Sequence, residues 1–179
     1  MSGGRGPGRP RDEQAKRAIH EAALDLLVAH GYGKLTIDGI ARRAGVGRQT
    51  VYRWWPGKAD VVLDALTTRA ALEIETADLT SFVRATFAVA PRYVPSLRGL
   101  MAEAQLDPGF GERFVDQFLG SRRAVLMDLV GRELPDVDPE HAADVVFGTL
   151  WYLVLTRPAS LTAAYGDRVL ALLRSLGRV

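Results

Sequence analysis

Residues 36–58 read TIDGIARRAGVGRQTVYRWWPGK, a run dense in side chains suited to contacting a nucleic acid. Arginine at position 48 can pair two-fold with a guanine edge and glutamine at 49 with adenine, while the Thr50 methyl can meet a thymine methyl. Tyr52, Arg53 and Trp54 each add a hydrogen-bonding group, and Arg42 and Arg43 add charge beside them. Lys58 stands where a helix is expected to open, so its ammonium and free backbone N–H groups can jointly hold a phosphate. The spacing supplies a frame for these groups. Ile37, Ile40, Ala41 and Ala44 recur at helical steps, Gly45 interrupts them, and Val46, Val51 and Trp55 continue the inward face. Two short helices about a tight glycine turn make a helix-turn-helix. Seven residues rising ~1.5 Å each span about 10 Å, close to the ~12 Å width of the major groove. An ordinary helical bundle with a solvated arginine face would share these features, so spacing and charge alone leave both readings open.

The other reactive residue types form no catalytic arrangement. His20, His30 and His141 are isolated, and no HExxH, GxSxG or phosphate-cradling glycine loop occurs. Glu103, Asp107 and Glu112 fall where helix surfaces and turns are expected. Cysteine is absent, which excludes disulfides, thiolate zinc sites and a cysteine nucleophile. Neither catalysis nor a cofactor or metal is expected.

Charge is unevenly spread. Residues 1–58 carry 11 basic and 5 acidic side chains, whereas 59–179 carry 12 basic and 16 acidic ones. A basic head on an acidic body points one end toward a polyanion. The longest uncharged apolar run, residues 145–155, falls well short of the roughly 20 residues a membrane span needs. The start of the chain lacks the apolar stretch of a secretory signal, so a cytoplasmic protein with no membrane partner is expected.

The elements that must position the chemistry are helices throughout. Residues 1–11 are Gly, Pro and Arg and are expected to form a flexible basic arm. Ala15, Ile19, Ala22, Ala23, Leu26 and Leu27 make one helical stripe, closed by Gly31. Thr36 suits the N-cap of a helix over 37–44, and further helices are expected over 47–54 and 58–75. Five more follow over 79–90, 92–105, 109–134, 139–156 and 163–177, divided by prolines and acidic turns. The fold class is all-α, with about nine helices. Domains are expected at 12–72, a three-helix DNA-binding head continued by a fourth helix, and at 73–179, a helical bundle.

AIHEAALDLLVAHGYGKLTI followed by GIARRAGVGRQTVYRWWPGKADV resembles the DNA-binding domain of the tetracycline-repressor (TetR) family, over about a third of the chain. The resemblance implies that Arg48, Gln49, Thr50, Tyr52 and Trp54 lie where the recognition helix meets bases and backbone, and Arg53 stands outward among them. It also implies that Thr36 caps the second helix beside a phosphate and that Lys58 binds another. Trp54 departs from the histidine or tyrosine more usual there, which puts its contact in doubt. Arg9 and Arg11 fall in an arm like the one some members lay in the minor groove, although a solubilising tail reads the same way.

For the body, helix 139–156 is apolar on almost every side and must be covered on two faces. A homodimer interface is expected from Val146, Leu150 and Leu153 with Val169, Leu172, Leu173 and Leu176 of the last helix. A fully buried central helix in a monomer is the alternative. Phe82, Phe87, Met101, Gln105, Phe114, Phe118, Trp151 and Tyr152 are candidates for lining a small-molecule effector pocket, or else plain core. The expected function is a repressor of a palindromic double-stranded operator, released by an effector, with the fourth helix as the link between domains. Alternatives are an activator, a ligand-independent regulator, or a helical small-molecule binder with a vestigial DNA head.

Overall fold

Capping residues set most helix starts. The computed structural model describes residues 9–73 and 78–177, with side chains for 12–71 and 78–177, and no strand occurs among them. Helix α1 (Arg9–His30) stops where Gly31 turns to φ 76°, a conformation that favours glycine. Its backbone reaches back into the stretch expected to be flexible, because Pro10 is tolerated in a first turn. The rest of the arm, and the Arg9 and Arg11 side chains, lie outside the described residues.

A 3₁₀ turn over Tyr32–Lys34, not anticipated from sequence, leads to α2 (Ile37–Ala44). Thr36 caps it as expected: its Oγ1 accepts from the Gly39 N–H at 3.1 Å. Gly45, at φ 69°, ends α2, and α3 (Arg48–Tyr52) follows. This helix stops two residues early because the Trp54 N–H bonds the Val51 carbonyl, a three-residue closure that tightens the turn. Helix α4 spans Lys58–Glu73, and its expected last residues lie outside the described ones.

The chain divides into two compact units, Met1–Leu66 and Thr67–Val179, with the division inside α4. In the first, α1 packs on α2 and α2 on α3. Ile19, Ala22, Ala23 and Leu27 are buried, as are Ile40, Ala41, Val51 and Trp55. The arginines of α2 and α3 are left outside.

The second unit holds α5 (Leu79–Val89), α6 (Val94–Leu106), α7 (Pro108–Phe114), α8 (Ser121–Glu133), α9 (Pro139–Thr156) and α10 (Ala163–Leu176). Asp78, Asp107, Asp138 and Thr162 cap α5, α7, α9 and α10 with side-chain oxygens. The single helix expected over 109–134 is instead two, because a π turn at Val115–Gly120 separates α7 from α8. Gly120 suits that widened turn, since a Cβ there would lie 3.2 Å from the Val115 carbonyl oxygen. Helix α10 packs on α5 at Gly166, where a Cβ would lie 3.2 Å from the Val83 carbonyl oxygen. Arg98 of α6 donates to the Val154 and Leu155 carbonyls at 2.8 and 3.0 Å, satisfying the end of α9.

Burial corrects the expected interface. Val146, Leu150, Leu153, Val169 and Leu173 are at most 8% exposed within the single chain, because α6, α8 and α10 already cover α9 and α5 covers α10. Those five side chains are core. Leu172 and Leu176 of α10 do stand exposed, and α9 adds Tyr152 and Leu155. Among the described residues, no helix is long and apolar enough to cross a membrane.

Candidate nucleic-acid interface

Helix α3 presents most of its polar side chains to solvent. Arg48, Gln49, Tyr52 and Arg53 are exposed, Thr50 and Trp54 are half-buried, and Val51 holds the helix to the core. Ion pairs orient the cations. Arg48 reaches both Asp38 oxygens, at 3.1 and 3.3 Å, and Arg53 meets Asp12 at 2.8 Å while lying over the Trp54 ring. Arg43 pairs with Asp25 at 2.8 Å. Thr36 is exposed at the start of α2 with its hydroxyl already engaged in the cap. Lys58 is half-buried: its ammonium donates to the Tyr32 carbonyl at 3.3 Å and lies 4.6 Å from the Tyr32 ring centroid. The phosphate reading of Lys58 therefore has it shared with the Tyr32 turn.

The end of α3 is anchored by a carboxylate that sequence reasoning missed. Trp55 is buried and donates its indole N–H to Asp64 Oδ2 at 3.0 Å. Lys16 reaches the same oxygen at 2.9 Å. His20 Nε2 stands 3.3 Å from it, in charge-pairing range but off the direction of a sound hydrogen bond. Burial alone would raise Asp64, yet the contacts and charges of His20 and Lys16 outweigh it and hold its carboxyl well below the usual range. The four-residue spacing of Lys16 and His20 along α1 was the available signal, because it puts both on one helix face.

Residues 19–65, which contain α2 and α3, match the model of bacterial regulatory proteins of the tetR family, and 76–173 match that of the tetracyclin repressor-like C-terminal domain. The HTH-type transcriptional regulator YdeS of Bacillus subtilis is 31% identical over 172 residues, covering 88% of this chain and 87% of that protein. The chain belongs to the TetR family. It is a transcriptional regulator with a DNA-binding helix-turn-helix. Solved TetR-type structures share the fold. The regulator SCO0332 matches with a TM-score of 0.72 at 22% identity, covering 91% of this chain and 98% of that one. FadR of Bacillus subtilis, in complex with stearoyl-CoA, matches with a TM-score of 0.58 at 18% identity, covering 89% and 98%.

The candidate effector residues of this TetR-family body are only partly gathered. Phe110, Phe114 and Phe118 stack with ring centroids 6.3 and 5.7 Å apart, and Trp151 meets Phe114 edge-on with centroids 5.9 Å apart. Phe82 and Phe87 are buried, and Phe87 stacks on Tyr165 at 6.0 Å. Met101 is half-buried. Gln105 and Tyr152 are exposed, and Arg157 lies over the Tyr152 ring, which corrects the expectation that both line an enclosed cavity.

Proposed function

We propose that this TetR-family protein is a cytoplasmic, homodimeric repressor that reads a palindromic operator with α3 and releases it when a small molecule occupies the second unit. The observation that carries the DNA reading is α3 itself. Three polar side chains able to meet bases and phosphates, Arg48, Gln49 and Tyr52, stand exposed on a helix whose other face is locked by Val51 and the Trp55–Asp64 bond, and Arg53 joins them just past its end. Two such helices, one per subunit, suit successive major grooves about 34 Å apart. Arg48, Gln49 and the Thr50 methyl read base edges, while Tyr52, Arg53, Trp54, Lys58 and the Thr36 cap meet the backbone, with Arg9 and Arg11 at the arm. The stacked phenylalanines support ligand binding, and one fold neighbour, FadR, is a complex with stearoyl-CoA.

An effector shifts the balance only by its differential affinity for free and operator-bound protein. The test is a titration of the protein against the DNA upstream of its own coding sequence, at several salt concentrations. Tight binding to one palindromic segment is expected, with affinity falling steeply as salt rises. Equal affinity for that segment and scrambled DNA would refute the specific-repressor reading.

A further inference from the structure

An acidic side chain stands beside the arginine proposed to read a base. Asp38 is the second residue of α2, two positions past the Thr36 cap. Its carboxylate accepts from Arg48, the first residue of α3, at 3.1 and 3.3 Å. Both oxygens take the same nitrogen, Nη1, and the Nη2 and Nε donors of Arg48 make no hydrogen bond among the described residues. Both side chains are exposed, so water competes for the pair and it adds little to the stability of the fold. An aspartate in a first turn also suits the positive end of a helix, but that role needs no arginine.

A carboxylate at this place opposes DNA in general. Phosphates draw a basic surface to any duplex, and Asp38 repels them while offsetting the charge of Arg48. Guanine differs, because its O6 and N7 are neutral acceptors set at the spacing of two parallel guanidinium donors. The planar guanidinium has five N–H donors, so Nη1 can stay on Asp38 while the Nε–Nη2 edge remains open. The pair thus keeps the edge that reads a base and weakens the charge that grips a phosphate. Arg53 and Arg43 are also paired, with Asp12 and Asp25 of α1, but of the three it is Arg48 that is read as a base contact.

We propose that Asp38 is a specificity-determining residue of the DNA-binding head: it weakens the hold of Arg48 on phosphate and leaves the Nε–Nη2 edge to guanine, so that random DNA gains less from Arg48 than the operator does. The proposal rests on the reading of Arg48 as a base contact. Asp38 is a positioning residue, acting on DNA through Arg48.

Anisotropy titrations of the full-length protein test this. The probes are a labelled duplex that wild type selects from random DNA and a scrambled duplex of equal length and composition. Asp38→Asn should tighten binding to the scrambled duplex by about 3- to 5-fold, within the range of an exposed ion pair. Its salt slope there should steepen by about one unit, as Arg48 becomes free to take a phosphate. The selected duplex should gain less, so the preference narrows. Asp38→Glu should keep most of the preference. With Arg48→Ala already present, Asp38→Asn should leave the preference unchanged, because its route to the bases is gone. Glu21→Gln removes an exposed charge from α1 and should shift both duplexes alike. Circular dichroism melts confirm that each variant is folded, and Asp38→Ser carries the test if Asp38→Asn is not. A merely structural loss would weaken both duplexes together, the opposite sign to that expected for the scrambled one. An undiminished preference in the folded Asp38 variant, equal narrowing by Glu21→Gln, or the same narrowing without Arg48 overturns the proposal and leaves the operator reading intact. A wild type that selects no sequence overturns the operator reading and this proposal with it.

Discussion

At the scale of single residues, the surface around α3 is held in readiness by pairs that are cheap to open. Arg48–Asp38, Arg53–Asp12 and Arg43–Asp25 are all exposed, and such pairs contribute roughly 0–1 kcal/mol each. Guanine or phosphate can therefore replace a carboxylate at little cost. Replacing Arg48 by alanine should lose about 1–3 kcal/mol of operator affinity and relax one operator position. Replacing Lys58 should weaken binding to every sequence alike and reduce the salt slope by about one unit. Selection of sites from random DNA by each variant checks the division, and a consensus altered by Lys58→Ala but not by Arg48→Ala would reverse the roles. The exposed polar side chains of α3 were legible in the sequence because helical spacing sets them on the side away from Val51. Their acidic partners were not. Asp12 lies 41 positions from Arg53, and only the packing of α1 brings the two together.

At the scale of elements, two features decide how firmly the helices are set. Asp64 ties α4 to the end of α3 through Trp55 and to α1 through Lys16. Its carboxyl is held below its ordinary value of 3.8, so its contribution to stability is present above that pH and is lost as pH falls through the lower folded value. Urea unfolding at pH 7 and near pH 2 should show wild type losing more stability on acidification than Asp64→Asn; equal losses would take Asp64 out of the acid response. The second feature is close helix approach. A Cβ at Gly111 would stand 2.9 Å from the Ala104 carbonyl oxygen, so Gly111→Ala forces α7 away from α6 and should cost about 1–3 kcal/mol. Gly131 of α8 has open space around it, and alanine there should stabilise by roughly 0.5–1 kcal/mol. Thermal melts of the two variants should move in opposite directions. The start of α2 could be read in advance because Thr36 carries its own cap, and Asp78, Asp107 and Thr162 turn out to cap α5, α7 and α10 in the same way. The π turn after α7 could not, since one extra residue in a helical period leaves no compositional mark, and nothing in the sequence distinguishes Gly111 from Gly131.

At the scale of the whole molecule, the question is which apolar surface the folded chain leaves uncovered. Helix α9 reads as apolar on every side, so periodicity showed that it needed cover on two faces without saying which face its own subunit supplies. The fold answers this by burying Val146, Leu150 and Leu153 internally and leaving Tyr152 and Leu155 of α9 at 56% and 49% exposure. On α10, Leu172 and Leu176 stand at 51% and 43%. The α9 pair is three positions apart and the α10 pair four, so each pair shares one helix face. Large apolar side chains clustered outward in this way mark an association surface. A self-complementary, two-fold contact is what the palindromic operator proposed above would require. Wild type is therefore expected to sediment as a dimer at micromolar concentration. Leu155→Arg and Leu172→Arg should each yield folded monomers with operator affinity reduced, because a single head engages only one half-site. Arginine at Val146 or Leu153 should behave differently: it buries a charge in the core and should unfold the second unit rather than split the dimer. Sedimentation velocity with a parallel melt separates these outcomes. A monomeric wild type, or a Leu172→Arg protein that stays fully dimeric together with Leu155→Arg, would show that the subunits meet somewhere other than the exposed faces of α9 and α10.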